Sequence, residues 1–291
     1  MNNMQIKRKG KRILRIVGAW LVVMIIIFPI YWIGLTSIRP VDEILTYPPR
    51  FFPDVKTVSL DHYKTVLSGK IGSSTNQYGL PTFFMNSVIL AITTTLITIF
   101  ISLFAAYGLV RVSFKGRKLM SHLILLCYLI PGIALMIPMF SMAVRLRLNN
   151  TLGGVVLFQI AMNLPLGIWF TKAFIKGIPE SLEESARLDG CNRLQVILQI
   201  ILPLSIPALV VVGFNMFLAS WNDYLLPSIL LDRERLKPLM VGLYIYFNQN
   251  IGVVWGEVMA SAVIAMVPVF FVFFYFQKYI VGGLSMGAVK G

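Results

Sequence analysis

Six stretches of the chain run without a single Asp, Glu, Lys or Arg: Ile16–Leu35, Phe83–Val110, Leu119–Val144, Asn149–Thr171, Leu194–Asn222 and Val258–Gln277. A bilayer core of roughly 30 Å takes about 20 apolar residues as a helix, and every stretch reaches that length. They predict an all-α, polytopic membrane protein with six transmembrane helices. A seventh charge-free stretch, Pro238–Gly256, carries Asn248, Gln249 and Asn250 in a row. Three amides are costly in hydrocarbon, so this stretch is expected to be a loop that dips or folds back. The domain plan is a basic segment over 1–15 and a transmembrane domain over 16–291.

Two features interrupt the apolar pattern. Prolines fall at Pro131, Pro138, Pro165, Pro203, Pro207 and Pro268, and uncharged polar residues at Asn86, Gln159, Asn163, Asn215 and Asn222. Broken helices and buried amides are tolerated where they line a cavity or meet another helix. The five amides therefore serve either as helix–helix glue or as a polar path for an uncharged, hydrogen-bonding solute such as a sugar.

Composition agrees with a lipid-facing chain. Hydrophobic residues make up 57% and charged residues 13% of the 291, against about 25% charged in a soluble domain. So few charges cannot coat a soluble globule. The net charge of +14 is not gathered into one domain with interleaved aromatics, so nucleic acid is not the partner it implies. Instead it reports topology. Sixteen basic residues lie on the side of the N-terminus, the loop after the second stretch, the loop after the fourth and the tail; ten lie on the other side, in longer segments. Basic residues crowd the cytoplasmic ends of spans. Both termini and the loop 177–203 are thus expected in the cytoplasm, with loops 36–81 and 223–257 outside. The first run lacks a cleavage signal and is expected to be an uncleaved anchor.

Several chemistries lack their residues. All 12 acids lie outside the spans, with Asp223 and Glu257 at span ends, whereas ion-coupled carriers keep an ionisable relay inside. Gly10-Lys11 and Gly69-Lys70 are followed by Arg12 and Ile71, so no phosphate-binding loop is present. Two His leave no histidine-based catalytic set, and Cys127 and Cys191 have no metal spacing. No catalytic residue, metal or cofactor is assigned to this chain.

The most informative segment is GIPESLEESARLDG, residues 177–190. Ser181 followed by Glu184 fits a capping box, Glu183 and Arg187 can pair at i,i+4, and Gly190 supplies a stop. The helix so defined is about two turns long, too short to persist alone. It needs a surface to dock on, either its own spans or another protein.

Glu184-Ser185-Ala186, Asp189-Gly190 and Ile200-x-Leu202-Pro203 resemble the E-A-A, three residues, G, nine residues, I-x-L-P signature of permease subunits of binding-protein-dependent ATP-binding-cassette (ABC) importers, with Ser185 in place of the first Ala. The chain is further similar to the six-span partner of maltose-transporter-type permeases. That likeness rests on Ser37-Ile38-Arg39-Pro40, Glu43-Ile44, Pro48-Pro49-Arg50-Phe51-Phe52-Pro53, Phe84-Met85-Asn86-Ser87, Tyr107 with Arg111, Trp221-Asn222-Asp223-Tyr224, and the tail from Gly283 to Gly291.

The resemblance implies an ABC importer permease fold in a bacterial cytoplasmic membrane, with segment 177–190 as the helix that couples to a separate ATPase. It implies docking roles for Glu184, Ser185, Ala186, Asp189 and Gly190, with Glu184 free also to cap the helix. ATP and Mg would be bound by the partner ATPase dimer, not by this chain. The other implied partners are a second, homologous permease and an external solute-binding protein. The outer loop YFNQNIGVVW, with Tyr246, Asn248, Gln249, Asn250 and Trp255, would touch the binding protein and its sugar, or else pack as a re-entrant loop. Ser68–Tyr78 is expected to be a flexible outer loop, and 282–291 a tail near the ATPase. The implied function is import of a sugar or oligosaccharide; the alternatives are another solute such as a peptide or polyol, or an ion-coupled carrier.

Overall fold

The computed structural model describes residues 3–68, 78–249 and 254–288. Asn250, most of the Ser68–Tyr78 loop and the last three residues of the tail lie outside them. Thirteen α-helices run in order along the described residues: α1 (Asn3–Ser37), α2 (Val41–Ile44), α3 (Asp61–Leu67), α4 (Leu80–Arg111), α5 (Arg117–Leu129), α6 (Gly132–Arg145), α7 (Leu152–Ile175), α8 (Glu180–Leu188), α9 (Arg193–Val196), α10 (Leu202–Trp221), α11 (Leu225–Leu230), α12 (Leu239–Gln249) and α13 (Trp255–Ala288). No strand is found among the described residues. In hydrocarbon every backbone donor must be met within its own segment, and a helix does that.

Five helical segments are long and apolar enough to cross a bilayer: Arg12–Ser37, Leu80–Arg111, Leu152–Ile175, Arg193–Trp221 and Trp255–Tyr279. The third expected span is not one straight helix. It is the pair α5 and α6, bent by 97° at the break. The cause is Pro131, which keeps the preceding residue out of the helical region; Ile130 is extended at φ −71°, ψ 122°. The pair still traverses the bundle. Lys172, near the end of α7, bonds Ser121 near the start of α5, while α6 leads through residues 146–151 to the start of α7. The chain from Ser121 to Leu148 therefore runs the length of α7, and with the bent pair counted as one span the candidate crossings number six among the described residues. In the fifth span a π-turn over Ile197–Ile201 precedes Pro203 and separates α9 from α10. Widening there absorbs the hydrogen bond that the proline cannot donate.

The stretch 238–256 differs from its expected form. Most of it is the helix α12, 11 residues long and too short to span.

The chain divides into two units, 1–79 with 246–266 and 80–245 with 267–291. The first holds a tight polar set beyond the end of α1. Arg39 donates to the carbonyl of Phe52 at 2.7 Å, Tyr31 to that of Phe51 at 2.5 Å, and His62 meets the carbonyl of Arg39 at 2.7 Å. The His62 ring lies where a Cβ on Gly256 would stand, 2.2 Å from its Nε2.

The second unit is built on α4, α7 and α10, each packed against the other two. One apolar cluster joins α6, α7 and α11 through Met136, Val155, Phe158 and Leu230. The other lies at the opposite end of α7 and joins Leu103, Ala106, Ile175, Val196 and Ile201. The turn into α7 is tight. Thr151 caps the helix by accepting from Gly154 N–H at 3.0 Å, and a Cβ on Gly154 would stand 2.2 Å from the carbonyl oxygen of Leu148. Backbone cannot swing away as a side chain can, so Gly154→Ala should cost about 1–3 kcal/mol. A thermal melt of the detergent-purified protein checks this, and an unchanged midpoint would contradict it.

Candidate functional site

The segment 177–190 forms the nine-residue helix α8. Its N-cap lies two residues before that of the expected capping box. Pro179 stands at the N-cap with no side-chain bond, so Ser181 lies inside the first turn, where its carbonyl accepts from Ser185 Oγ at 2.9 Å. The Ser181–Glu184 box therefore does not form. A complete box appears instead at Asn192 and Gln195, opening α9. The end of α8 is as expected. Gly190 takes φ +89°, Gly190 N–H bonds Arg187 O, and Cys191 N–H bonds Ala186 O. These are the paired bonds of a Schellman ending, which needs a left-handed residue that glycine supplies without strain.

One face of α8 is buried against α4 and the loop before it. Ala186 sits in the apolar cluster with Tyr107, Ile175 and Ile178. Beside it Glu183 is 1% exposed. Its Oε2 accepts from the Tyr107 hydroxyl at 3.0 Å, and its Oε1 accepts from Arg111 Nε at 2.5 Å. The Arg111 guanidinium also donates to Ile178 O at 2.6 Å, to Ile175 O at 3.3 Å and to Glu180 Oε1 at 3.2 Å. Arg187 Nη2 reaches Glu183 at 3.5 Å, the expected i,i+4 pair. A buried carboxylate needs a counter-charge and filled lone pairs, and Tyr107 with Arg111 supply both.

The opposite face is exposed. It carries Ser181, Leu182, Glu184, Ser185, Leu188 and Asp189, and Leu188 is 89% exposed. Of the five residues assigned to docking, Glu184, Ser185, Asp189 and Gly190 lie on the open side. Ala186 points inward, so its small size serves packing on the chain's own helices. Spacing pairs Glu183 with Arg187 but reveals neither the burial of Glu183 nor the exposure of Leu188. Tyr107 and Arg111, one helical turn apart at the end of α4, were the sign that an acid must meet them.

At the other end of α7 is a second polar cluster. Gln159, 2% exposed, accepts from Thr94 of α4 at 3.0 Å and from Ser220 of α10 at 2.7 Å, and donates to Asp223 at 2.9 Å. One amide thus ties α4, α7 and α10 together. Asp223 lies just past the span Arg193–Trp221 and also accepts Leu226 N–H at 3.3 Å. Burial lifts its carboxyl above the ordinary carboxylate range, against the pull of the Gln159 and backbone hydrogen bonds. Its protonated form is thus favoured in the folded chain. That stability is full below the ordinary carboxylate range and is lost as pH rises through the raised pKa. Melting temperature should accordingly lose a falling component with pH in Asp223→Asn. Asp223→Ala, which strands the Gln159 amide, should cost about 1–3 kcal/mol at acidic pH.

The remaining amides separate by surroundings. Asn86 is buried and donates to the carbonyls of Arg235 and Lys237. Asn163 is half-buried and donates to Gln159 O, whereas Asn215 and Asn222 are exposed. Tyr246, Asn248 and Gln249 fall on α12, Asn250 lies outside the described residues, and Trp255 opens α13 with its side chain exposed. A cavity of about 480 Å³ between α4, α10 and α13 is lined by Ile92, Leu96, Phe214, Phe217, Pro268 and Phe271 among others. Its walls are apolar except for the Thr95 hydroxyl, a poor lining for a sugar. Among the described residues no cluster of His, Cys, Asp or Glu could hold a metal.

Five or six helices fit to cross a bilayer, with a short helix braced on one side and bare on the other, define a membrane subunit with a surface for a second protein. Residues 98–285 match the family described as binding-protein-dependent transport system inner membrane component, and the chain belongs to that family. It is 34% identical over 281 residues to the trehalose/maltose transport system permease protein MalG of Thermococcus litoralis, covering 97% of this chain and 98% of that one. It is 33% identical to the arabinooligosaccharides transport system permease protein AraQ of Bacillus subtilis, covering 92% of each. Among solved structures it resembles a chain of a bacterial ABC transporter involved in import of the acidic polysaccharide alginate. The TM-score is 0.77 at 25% identity, over 93% of this chain and 97% of that one.

Proposed function

We propose that this chain is the permease subunit through which an ATP-driven importer passes an oligosaccharide, delivered by an external solute-binding protein. The observation that carries the reading is α8: one face is locked to α4 through Glu183, and the other is bare and led by Leu188. A helix held in this way transmits force from whatever docks on it. The chain itself performs no covalent chemistry; ATP and Mg belong to the docked ATPase dimer. The charge asymmetry supports a cytoplasmic position for α8 and both termini. A saccharide is favoured because the relatives named above, and the diacetylchitobiose uptake permease DasC of Streptomyces coelicolor at 30% identity, are named for oligosaccharide transport. A second, homologous permease completes the pathway. Asn163, Asn215 and Asn222 are the amides that retain access to it, while Asn86 and Gln159 are engaged inside the bundle. Tyr246, Asn248, Gln249, Asn250 and Trp255 are the contacts for the binding protein.

The test is ATP hydrolysis by the complex reconstituted in lipid with co-expressed genomic neighbours. Binding protein loaded with one saccharide of a panel should stimulate it. Stimulation by peptides alone would overturn the carbohydrate assignment, and failure of any ATPase to co-purify would overturn the importer.

A further inference from the structure

Most of the long apolar helices contain an internal proline: Pro29 in α1, Pro165 in α7, Pro207 in α10 and Pro268 in α13. α4 does not. Its proline, Pro81, stands at the second position, and the helix then runs unbroken to Arg111. An internal proline removes a ladder hydrogen bond and kinks the helix, so α4 is the stiffest of the set. At one end it holds α8 through Tyr107 and Arg111. At the other end, about 37 Å away at 1.5 Å per residue, it holds a second segment. Asn86 Nδ2 donates to the carbonyls of Arg235 at 2.9 Å and Lys237 at 3.0 Å, and Ser87 Oγ accepts from Leu239 N–H at 2.8 Å.

The far side of that segment is held too. Asn150 Oδ1 accepts the N–H of Asp232 at 2.6 Å and of Arg233 at 3.1 Å, and its Nδ2 donates to Asp232 at 2.9 Å. Leu231 and Leu239 are buried, while Arg233 and Arg235 are exposed. The segment leads straight into α12, which seats on the first turn of α4. The Phe83 ring fills the place of a Cβ on Gly242, 2.1 Å away. Apart from the bond between the Asn150 and Asp232 side chains, these ties use backbone groups of the segment, which leaves the exposed side chains of Arg233 and Arg235 for a partner.

We propose that α4 is the stiff link that carries engagement of segment 231–239 by the solute-binding protein to the docking helix α8, with Asn86 and Ser87 as the positioning residues at its outer end. A kinked helix absorbs a displacement at its kink. A continuous one moves as a unit, so a shift at Asn86 arrives at Glu183. The proposal rests on the function given above.

The test uses the complete transporter in lipid nanodiscs, with ATP hydrolysis titrated by ligand-loaded binding protein. Asn86→Ala combined with Ser87→Ala should lower maximal stimulation about fivefold. Basal hydrolysis and the half-maximal concentration of binding protein should stay within about twofold of the unsubstituted complex. A purely structural role would instead lower basal hydrolysis, and a docking role would raise the half-maximal concentration at full maximum; either result overturns the link, as does unchanged stimulation. A second variant makes the comparison inside one folded protein. With Cys127 and Cys191 replaced by Ser, Asn86→Cys with Lys237→Cys should regain stimulation on oxidation and lose it on reduction; equal stimulation in both states counts against the proposal. No stimulation in the unsubstituted complex would overturn the function and the link together, whereas loss confined to the variants leaves the function standing.

Discussion

Replacing Glu183 with alanine should abolish substrate uptake while the long apolar helices stay folded. The substitution takes from Arg111, whose side chain is only 6% exposed, its buried carboxylate and leaves it the exposed Glu180 and two backbone carbonyls. Stranding one partner of a buried ion pair costs about 3–5 kcal/mol, and the remaining Glu180 contact makes that figure an upper bound. Here the cost falls on the join between α8 and α4, not on the spans, whose apolar contacts are untouched. The expected outcome is a protein that inserts and purifies normally, carries a loosened α8, and hydrolyses ATP without transport. Glu183→Gln keeps an acceptor for Tyr107 and loses only the charge, so it should retain partial uptake. Transport assays run alongside protease sensitivity of the 177–190 segment check this. Full uptake by Glu183→Ala would show that α8 needs no tie to α4.

Leu188 should carry much of the affinity for the ATPase. It is the last residue of α8, held at the tip by the Gly190 turn, and almost its whole side chain faces solvent. Burying a leucine is worth about 1.5–3 kcal/mol. Leu188→Ala should therefore weaken ATPase association roughly tenfold to a hundredfold, and Leu188→Asp further, since a carboxylate would enter an apolar pocket. Neither change should move the melting temperature of the permease alone. Binding of purified ATPase to the permease in nanodiscs measures the effect. Unaltered affinity in Leu188→Asp would move the docking surface elsewhere on α8 or off it.

The two variants act on opposite faces of one short helix. On the proposed function, Glu183 would govern whether force on α8 reaches α4, and Leu188 whether the ATPase grips α8. The first should uncouple hydrolysis from transport; the second should reduce both together. Measured side by side, the pair separates transmission from docking.

The amino-acid sequence by itself determined the class of fold, because runs of 20 or more uncharged residues have no stable place except a bilayer. It also determined that a short helix lies in 177–190 and ends at Gly190, since a left-handed glycine turn is local chemistry, whereas the expected start at Ser181 gave way to Pro179. Spacing alone could not say which way α8 faces. Glu183 and Glu184 are adjacent acids of the same helix, and only the packing of α4 decides that the first is buried and the second open. The same holds for the amides: Asn86 and Asn215 look alike in an apolar run, yet one meets two carbonyls about 150 residues further along the chain, a separation no local pattern records. The bend at Pro131 was legible as a break; its 97° angle was not, because packing against α7 sets how far the two halves diverge. Residues whose partners lie within a helical turn were decided by the sequence, and those whose partners lie across the bundle were decided by the tertiary structure.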